Sequence, residues 1–205
     1  MNSDFLRQHT PEAFHTPRLR LEKITLEHAP MLREAVLRDP PALRFVDWAR
    51  GTWDPTQARR FCRGSREAMD RDGQFLTYLA FERERHQPDA PVTRRGRFVG
   101  LLDLHGFDFA VPACQIGYVG DPAPQGRGLM REAAAALVAQ AHAWGVRRIE
   151  AWCDTRNTRS IRLAVGLGFV QEGCLRQAAR DAEGLLIDRV VLARLTGDPL
   201  PAPRG

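Results

Sequence analysis

The stretch of this chain best suited to hold an anion is Gln125-Gly126-Arg127-Gly128-Leu129-Met130. It follows the apolar segment Ile116 to Val119 and opens a long amphipathic helical pattern. A strand that turns through glycines into a helix presents unpaired N–H groups and the positive end of the helix dipole to one small volume. Gly126 and Gly128 lack Cβ atoms, so their backbone can lie close to a diphosphate, and Arg127 adds a cation beside the amides. The same spacing also serves as a plain strand-to-helix connection, so the phosphate reading needs support. Thirty residues on, Asn157-Thr158-Arg159-Ser160 precedes Leu167-Gly168-Phe169 at the end of a short helical pattern.

The two motifs together resemble the GNAT superfamily of N-acetyltransferases, and within it the RimJ/RimL branch, which acetylates protein N-terminal amines. The family pattern is Gln or Arg, two residues, Gly, one residue, then Gly or Ala. Gln125 and Gly128 match, and Met130 takes the last place, where that branch tolerates a larger residue. The resemblance runs from Thr16 to Leu195 and is specific between Gln115 and Gln177. It implies an α/β (α+β) fold with a mixed, mostly antiparallel central sheet, splayed central strands and about four flanking helices. It also implies acetyl-CoA as acyl donor, no metal, and an amine acceptor that is a peptide N-terminus or a small molecule. A homodimer is compatible with it. Donor contacts fall at Gln125, Gly126, Arg127, Gly128, Leu129 and Met130. The acyl-pantetheine arm lies against Tyr118 and Val119, with Asn157 and Ser160 beyond it.

The implied reaction is attack of a neutral amine on a thioester with loss of a thiolate. Three provisions help: a route for the amine proton, donors for the developing oxyanion, and a hydrogen bond to the leaving sulfur. The resemblance puts Ser160 near that sulfur. Asn157 reads both as an N-cap and as a donor on the ligand side. The general base departs from the family pattern. Many members carry a glutamate on the fourth strand, two residues before a Gly, where Gln115 stands; RimL-like enzymes place one after an Arg-Gln-Ala run, where Arg176-Gln177-Ala178 is followed by Ala179. Asp103 and His105 alternate onto one face of the third strand and are the nearest replacements, acting through water; a structural role is open for each. At pH 7, deprotonating an α-amine of pKa about 8 costs about 1.4 kcal/mol, against about 4.6 for a lysine-type amine of pKa about 10.4. A weak or water-mediated base therefore favours an α-amine. A coenzyme A-binding module without catalysis is the second reading, motivated by the missing carboxylates.

Positioning these residues takes a sheet and several helices. Arg18 to Ile24 alternates polar and apolar as a half-buried first strand does. Thr25 can cap a helix whose buried face is Leu26, Ala29, Met31, Leu32, Ala35 and Val36, with Asp39-Pro40-Pro41 ending it. A loop and short helical segment, Ala42 to Thr52, follows. Asp54-Pro55 then reads as an N-cap with Pro at the first helical position, opening a helix to Asp70 with Gly73 beyond. Trp48 and Trp53 lie where GNAT enzymes build the acceptor side, yet they read as core or loop anchors. Gln74 to Glu82, Arg97 to His105 and Ala113 to Gly120 are the next strands, with Arg83 to Gly96 as a hairpin loop. A central helix spans Gly128 to Trp144 and stops at Gly145. Arg148 to Cys153 is a fifth strand, a short helix runs to Leu167, and Phe169 to Leu175 with Leu185 to Leu195 make a terminal hairpin.

With 205 residues, 43% of them hydrophobic, the chain can bury one full core. The reading is one catalytic domain, 16–197, between an N-terminal extension, 1–15, and a flexible tail, 198–205. Cys62, Cys114, Cys153 and Cys174 lack Cys-x-x-Cys spacing and read as reduced thiols rather than ligands. Lys23 is the sole lysine, so the net charge of +5 is carried by arginine, without the basic helix or basic-aromatic interleaving of a nucleic-acid binder. No apolar run reaches the roughly 18 residues of a membrane span, and residues 1–17 lack a signal-peptide core. A cytoplasmic protein is expected.

Overall fold

The computed structural model describes residues 2–39, 43–83, 96–122, 126–181 and 183–199. Eight strands form one sheet in the order β1-β2-β3-β4-β5-β6-β8-β7. They are β1 (Ala13–His15), β2 (Leu19–Lys23), β3 (Phe75–Glu82), β4 (Phe98–Asp108), β5 (Ala113–Gly120), β6 (Arg148–Asp154), β7 (Val170–Arg180) and β8 (Leu186–Leu195). Among the described residues five helices of α type accompany them: α1 (Ser3–His9), α2 (Ala29–Arg38), α3 (Pro55–Asp72), α4 (Leu129–Ala143) and α5 (Thr158–Gly166). All pairings are antiparallel except β5 with β6. A parallel pair needs a crossover, and α4 supplies it.

Local chemistry accounts for most boundaries. Thr25 opens a 3-10 turn over Leu26–His28 ahead of α2, with the His28 side chain reaching back to the Thr25 backbone. Asp54 caps α3 by accepting from the Gln57 N–H at 2.8 Å, Pro55 occupies the first turn, and Gly73 ends it with φ 68°. Of the expected α2 face, Ala29, Leu32, Ala35 and Val36 are buried, while Leu26 is exposed. A 3-10 turn at Asp47–Ala49 lies in the expected short helical segment.

The first fifteen residues contribute two elements that composition did not signal. Leu6 of α1 is fully buried and β1 pairs with β2 along Ala13↔Glu22 to His15↔Arg20. Two adjacent apolar residues, Phe5 and Leu6, in a seven-residue polar helix leave too little periodicity to read. The loop read at 83–96 falls almost wholly on residues outside those described, as do Gln125 and the end of the tail.

Two cores lie on opposite faces of the sheet. One gathers α4 residues Leu129, Ala133, Ala134, Leu137, Val138 and Ala141 against Leu102, Leu104, Ile116 and Ile149. The other joins α2 and α3 to Leu79, Phe81 and Leu101.

Candidate active site

The parallel seam decides the site. β5 and β6 pair only at Ala113↔Arg148, Cys114↔Ile149 and Gln115↔Glu150. Beyond Gln115 the strands run on to Gly120 and Asp154 without pairing to each other. The facing edges therefore leave backbone donors and acceptors available to a third partner. Tyr118 crosses the opening: its hydroxyl donates to the Ser160 carbonyl at 2.8 Å, tying β5 to the first turn of α5. Burial pushes the Tyr118 phenol well above its usual range, so it remains a neutral donor.

A cavity of about 700 Å³ runs into this opening. Asp103, His105, Tyr118, Val119, Asn157 and Ser160 all line it, so the structure brings six of the sequence-derived residues to one space. Asp103 is buried and accepts from His105 Nδ1 at 2.6 Å. That bond directs the second ring nitrogen of His105 away from the carboxylate, the orientation a general base requires. Phe75 stacks on the His105 ring at 5.2 Å and limits its rotation. Asn157 acts as the N-cap of α5, accepting from the Ser160 N–H at 3.2 Å. The Ser160 hydroxyl is placed one turn into that helix, half-buried at the cavity wall.

The glycine turn follows the unpaired end of β5, ahead of α4. Gly126 and Gly128 have φ of 80° and 71°, the left-handed region that β-carbons disfavour. A Cβ at Gly126 would meet nothing within 4 Å, so its backbone faces open space. The first α4 bond of this turn is Glu132 N–H to the Gly128 carbonyl, which leaves the N–H groups of Leu129, Met130 and Arg131 ahead of it. Arg127, read as a cation beside these amides, is half-exposed: its guanidinium pairs with Glu82 at 2.5 Å, and its carbonyl accepts from Arg18 Nη1 at 3.0 Å. Backbone amides and the helix end suit this turn to an anion, with the Arg127 guanidinium beside them engaged by Glu82.

Met130 explains itself through two strands. Gly100 and Gly120 face each other across β4 and β5, and a Cβ on them would come within 2.4 Å of Met130 Sδ and 2.8 Å of Met130 Cγ respectively. The long side chain occupies the space those glycines leave. A bulky residue at the end of the motif is thus matched from the sheet side.

Several lining residues escaped the sequence reading. Trp53 is a core residue, as read, but Trp48 reaches the cavity and stacks on Phe61 at 4.7 Å. Gln57, Arg60, Phe61, Gly64, Ser65 and Ala68 line the cavity from α3. Their three-and-four spacing was a legible signal, masked by the buried stripe of Ala58, Cys62 and Met69 on the same helix. Cys153 also lines it, a thiol pushed up by burial to about 11. Asp154 and Asp181 both pair with Arg156, at 2.7 and 3.0 Å. Among the described residues no cluster of three or more His, Cys, Asp or Glu is placed to hold a metal, and no helix is long and apolar enough to cross a membrane.

A split sheet, a glycine turn with unpaired helix-start amides beside the split, and a cavity with an oriented histidine thus meet in one region of the fold. Residues 18–170 match the acetyltransferase (GNAT) domain, and the chain belongs to that family of acetyltransferases. It is 29% identical over 178 residues, 86% of its length and 92% of the relative's, to the uncharacterized N-acetyltransferase p20 of Bacillus licheniformis. It is 30% identical over 88 residues to the ribosomal-protein-serine acetyltransferase of Escherichia coli K12, covering 42% of this chain and 49% of that one. Among solved structures, RimL, a ribosomal L7/L12 α-N-protein acetyltransferase in complex with coenzyme A, superposes with a TM-score of 0.79 at 25% identity, over 92% of this chain and all of that one.

Proposed function

We propose that this acetyltransferase takes its acetyl group from acetyl-CoA and delivers it to the α-amine of a protein or peptide N-terminus. The observation that carries the reading is the unpaired stretch of β5 and β6, which opens onto the cavity, with the α4 turn beyond β5. The residues present fit a diphosphate-bearing thioester. Free amides at the start of α4 and the space around Gly126 suit the diphosphate, and the strand edges at Tyr118 and Val119 suit an amide-containing arm. Relatives support the acceptor: RimL acetylates the α-amine of a ribosomal protein, and a second relative is a ribosomal-protein-serine acetyltransferase.

In this mechanism the amine nitrogen forms a bond to the thioester carbonyl carbon, and the carbon–sulfur bond breaks. His105 receives the amine proton, directly or through water, while Asp103 accepts from Nδ1 and holds the imidazole in orientation. Ser160 offers its hydroxyl to the departing sulfur. An ordinary thiol pKa of about 8.5 makes thiolate an acceptable leaving group, so one hydrogen bond is adequate and no strong acid is required. Tyr118 keeps Ser160 in place by holding its carbonyl.

The test has two stages. A thermal-shift titration compares acetyl-CoA, coenzyme A and ATP; a native-state ligand at a hundredfold excess over Kd adds about 2.7 kcal/mol, about 5 to 11 °C for a chain this size. Mass spectrometry then follows acetylation of N-terminal peptides beside polyamines and lysine analogues. Acetyl-CoA binding with peptide acetylation is expected. Binding without transfer to any amine would leave only a coenzyme A-binding module, and transfer confined to small amines would replace the peptide acceptor.

A further inference from the structure

We infer that the preferred acceptor is a peptide carrying an acidic side chain three or four residues behind its reacting amine, and that Arg44 and Arg60 hold that carboxylate. This rests on the function proposed above and names the substrate class for the same cavity. The α3 wall gives the cavity a direction. α3 ends at Asp72, turns at Gly73, and β3 begins at Phe75, whose ring stacks on His105. The Ala68 end of the wall therefore lies beside the histidine. Arg60 stands about 12 Å back along the helix axis from Ala68. An extended peptide covers that distance in about three to four residues. Between the two ends the wall is Phe61 with Trp48 stacked on it, then Gly64 and Ser65, an apolar and narrow-sided floor for the intervening chain.

Charge selects the occupant. Among the described residues Arg60 hydrogen-bonds Gln57 Oε1, at 2.5 Å, and Arg44 lies over the face of Phe45, at 4.7 Å from the ring centroid. Neither forms an ion pair among the described residues, and both line the cavity. The acidic groups lining the same cavity are already engaged: Asp154 and Asp181 with Arg156, and Asp103 with His105. Arg50 and Arg189 add two further guanidinium groups to the lining, Arg50 donating to the carbonyls of Arg180 and Asp181. An acidic side chain entering here finds the guanidinium groups of Arg44 and Arg60, which form no ion pair among the described residues, whereas a basic one meets like charge.

The experiment uses the full chain and two N-terminal peptide series, identical except for Glu or Lys at positions four and five. Acetylation is read by kcat/KM, and binding by fluorescence anisotropy of labelled, already acetylated peptides in the presence of coenzyme A. The Glu series is expected to be favoured by roughly ten- to a hundredfold in both, less so at high salt. Arg44→Glu with Arg60→Glu should reverse the preference while the acetyl-CoA thermal shift stays that of the wild type. Equal treatment of the two series by the wild type, or an unchanged ratio in the double variant, overturns the inference. Charge-selective binding without acetylation would uphold the carboxylate site at Arg44 and Arg60 but overturn the peptide as acceptor, and with it the peptide-acetylating function, because the anisotropy measurement does not need turnover.

Discussion

The carboxylate of Asp103 lies directly over the backbone of Gly117: a Cβ at that glycine would stand 2.6 Å from Asp103 Oδ2 and 2.9 Å from Oδ1. The two residues are partners across β4 and β5, so the absence of a side chain on one strand makes room for the charge on the other. That space lets a buried Asp103 reach along its own strand to His105.

His105→Ala should lower kcat by about 10²- to 10⁴-fold, the range of one general base, with acetyl-CoA binding unchanged. Asp103→Asn should act through the same histidine with a smaller loss. Gly117→Ala should resemble Asp103→Asn, since its methyl group forces the carboxylate to move. Steady-state assays on the best peptide check all three. A His105→Ala enzyme within twofold of wild type would remove the pair from the mechanism.

Ser160→Ala should lose turnover yet keep its thermal shift with both coenzyme A species, because its hydroxyl is assigned to the leaving sulfur alone. Tyr118→Phe removes a different bond, the one to the Ser160 carbonyl. It should destabilise the fold by about 1 kcal/mol, the usual value of one hydrogen bond, as measured by urea unfolding. Undiminished turnover in Ser160→Ala would assign the sulfur to another donor.

Gly120→Ala should cost about 1 to 3 kcal/mol through its clash with Met130, and Met130→Ala in the same chain should recover most of that overpacking term. Gly100→Ala should not be recovered so fully, because its Cβ would also stand 2.5 Å from the Val119 backbone carbonyl. A double-mutant cycle by denaturant unfolding separates the two cases. Additive losses at Gly120 and Met130 would disprove the packing account.

Asp154 supplies a pH dependence. The Arg156 hydrogen bond holds its carboxyl below the usual 3.8, against the opposing effect of burial. A carboxyl depressed in the folded state contributes stability that is complete above the unfolded pKa and is lost as pH falls through the folded value. The Tm difference between wild type and Asp154→Asn should therefore be steady from pH 7 down to about 5 and shrink below about 4. A difference that grows on acidification would reverse the sign of the linkage.

Much of this architecture could be read from local patterns. The caps at Thr25, Asp54 and Asn157, the stops at Gly73 and Gly145, and the strand from Ala113 to Gly120 are set by backbone chemistry within a few residues, which a single sequence displays. The helix from Leu129 to Ala143 follows from its apolar spacing in the same way. Asp103 and His105 could be paired because a strand repeats every two residues.

What lay beyond the sequence depended on contacts between distant segments. The ion pair of Arg127 with Glu82 joins the α4 turn to the end of β3, and no local rule forecasts which carboxylate will neutralise which guanidinium. Trp48, Phe61 and Arg60 became cavity residues only once α3 was laid against the sheet with one face in the core and another over Asp103 and His105. The glycines that accommodate Met130 and Asp103 could be counted in the sequence, but their purpose appeared only from the strand register that sets Gly100 against Gly120 and Asp103 against Gly117. The amino-acid order determined the elements and the motif, because those depend on neighbours along the chain. Tertiary structure alone decided which charges are engaged and what the cavity can admit, because those depend on neighbours in space.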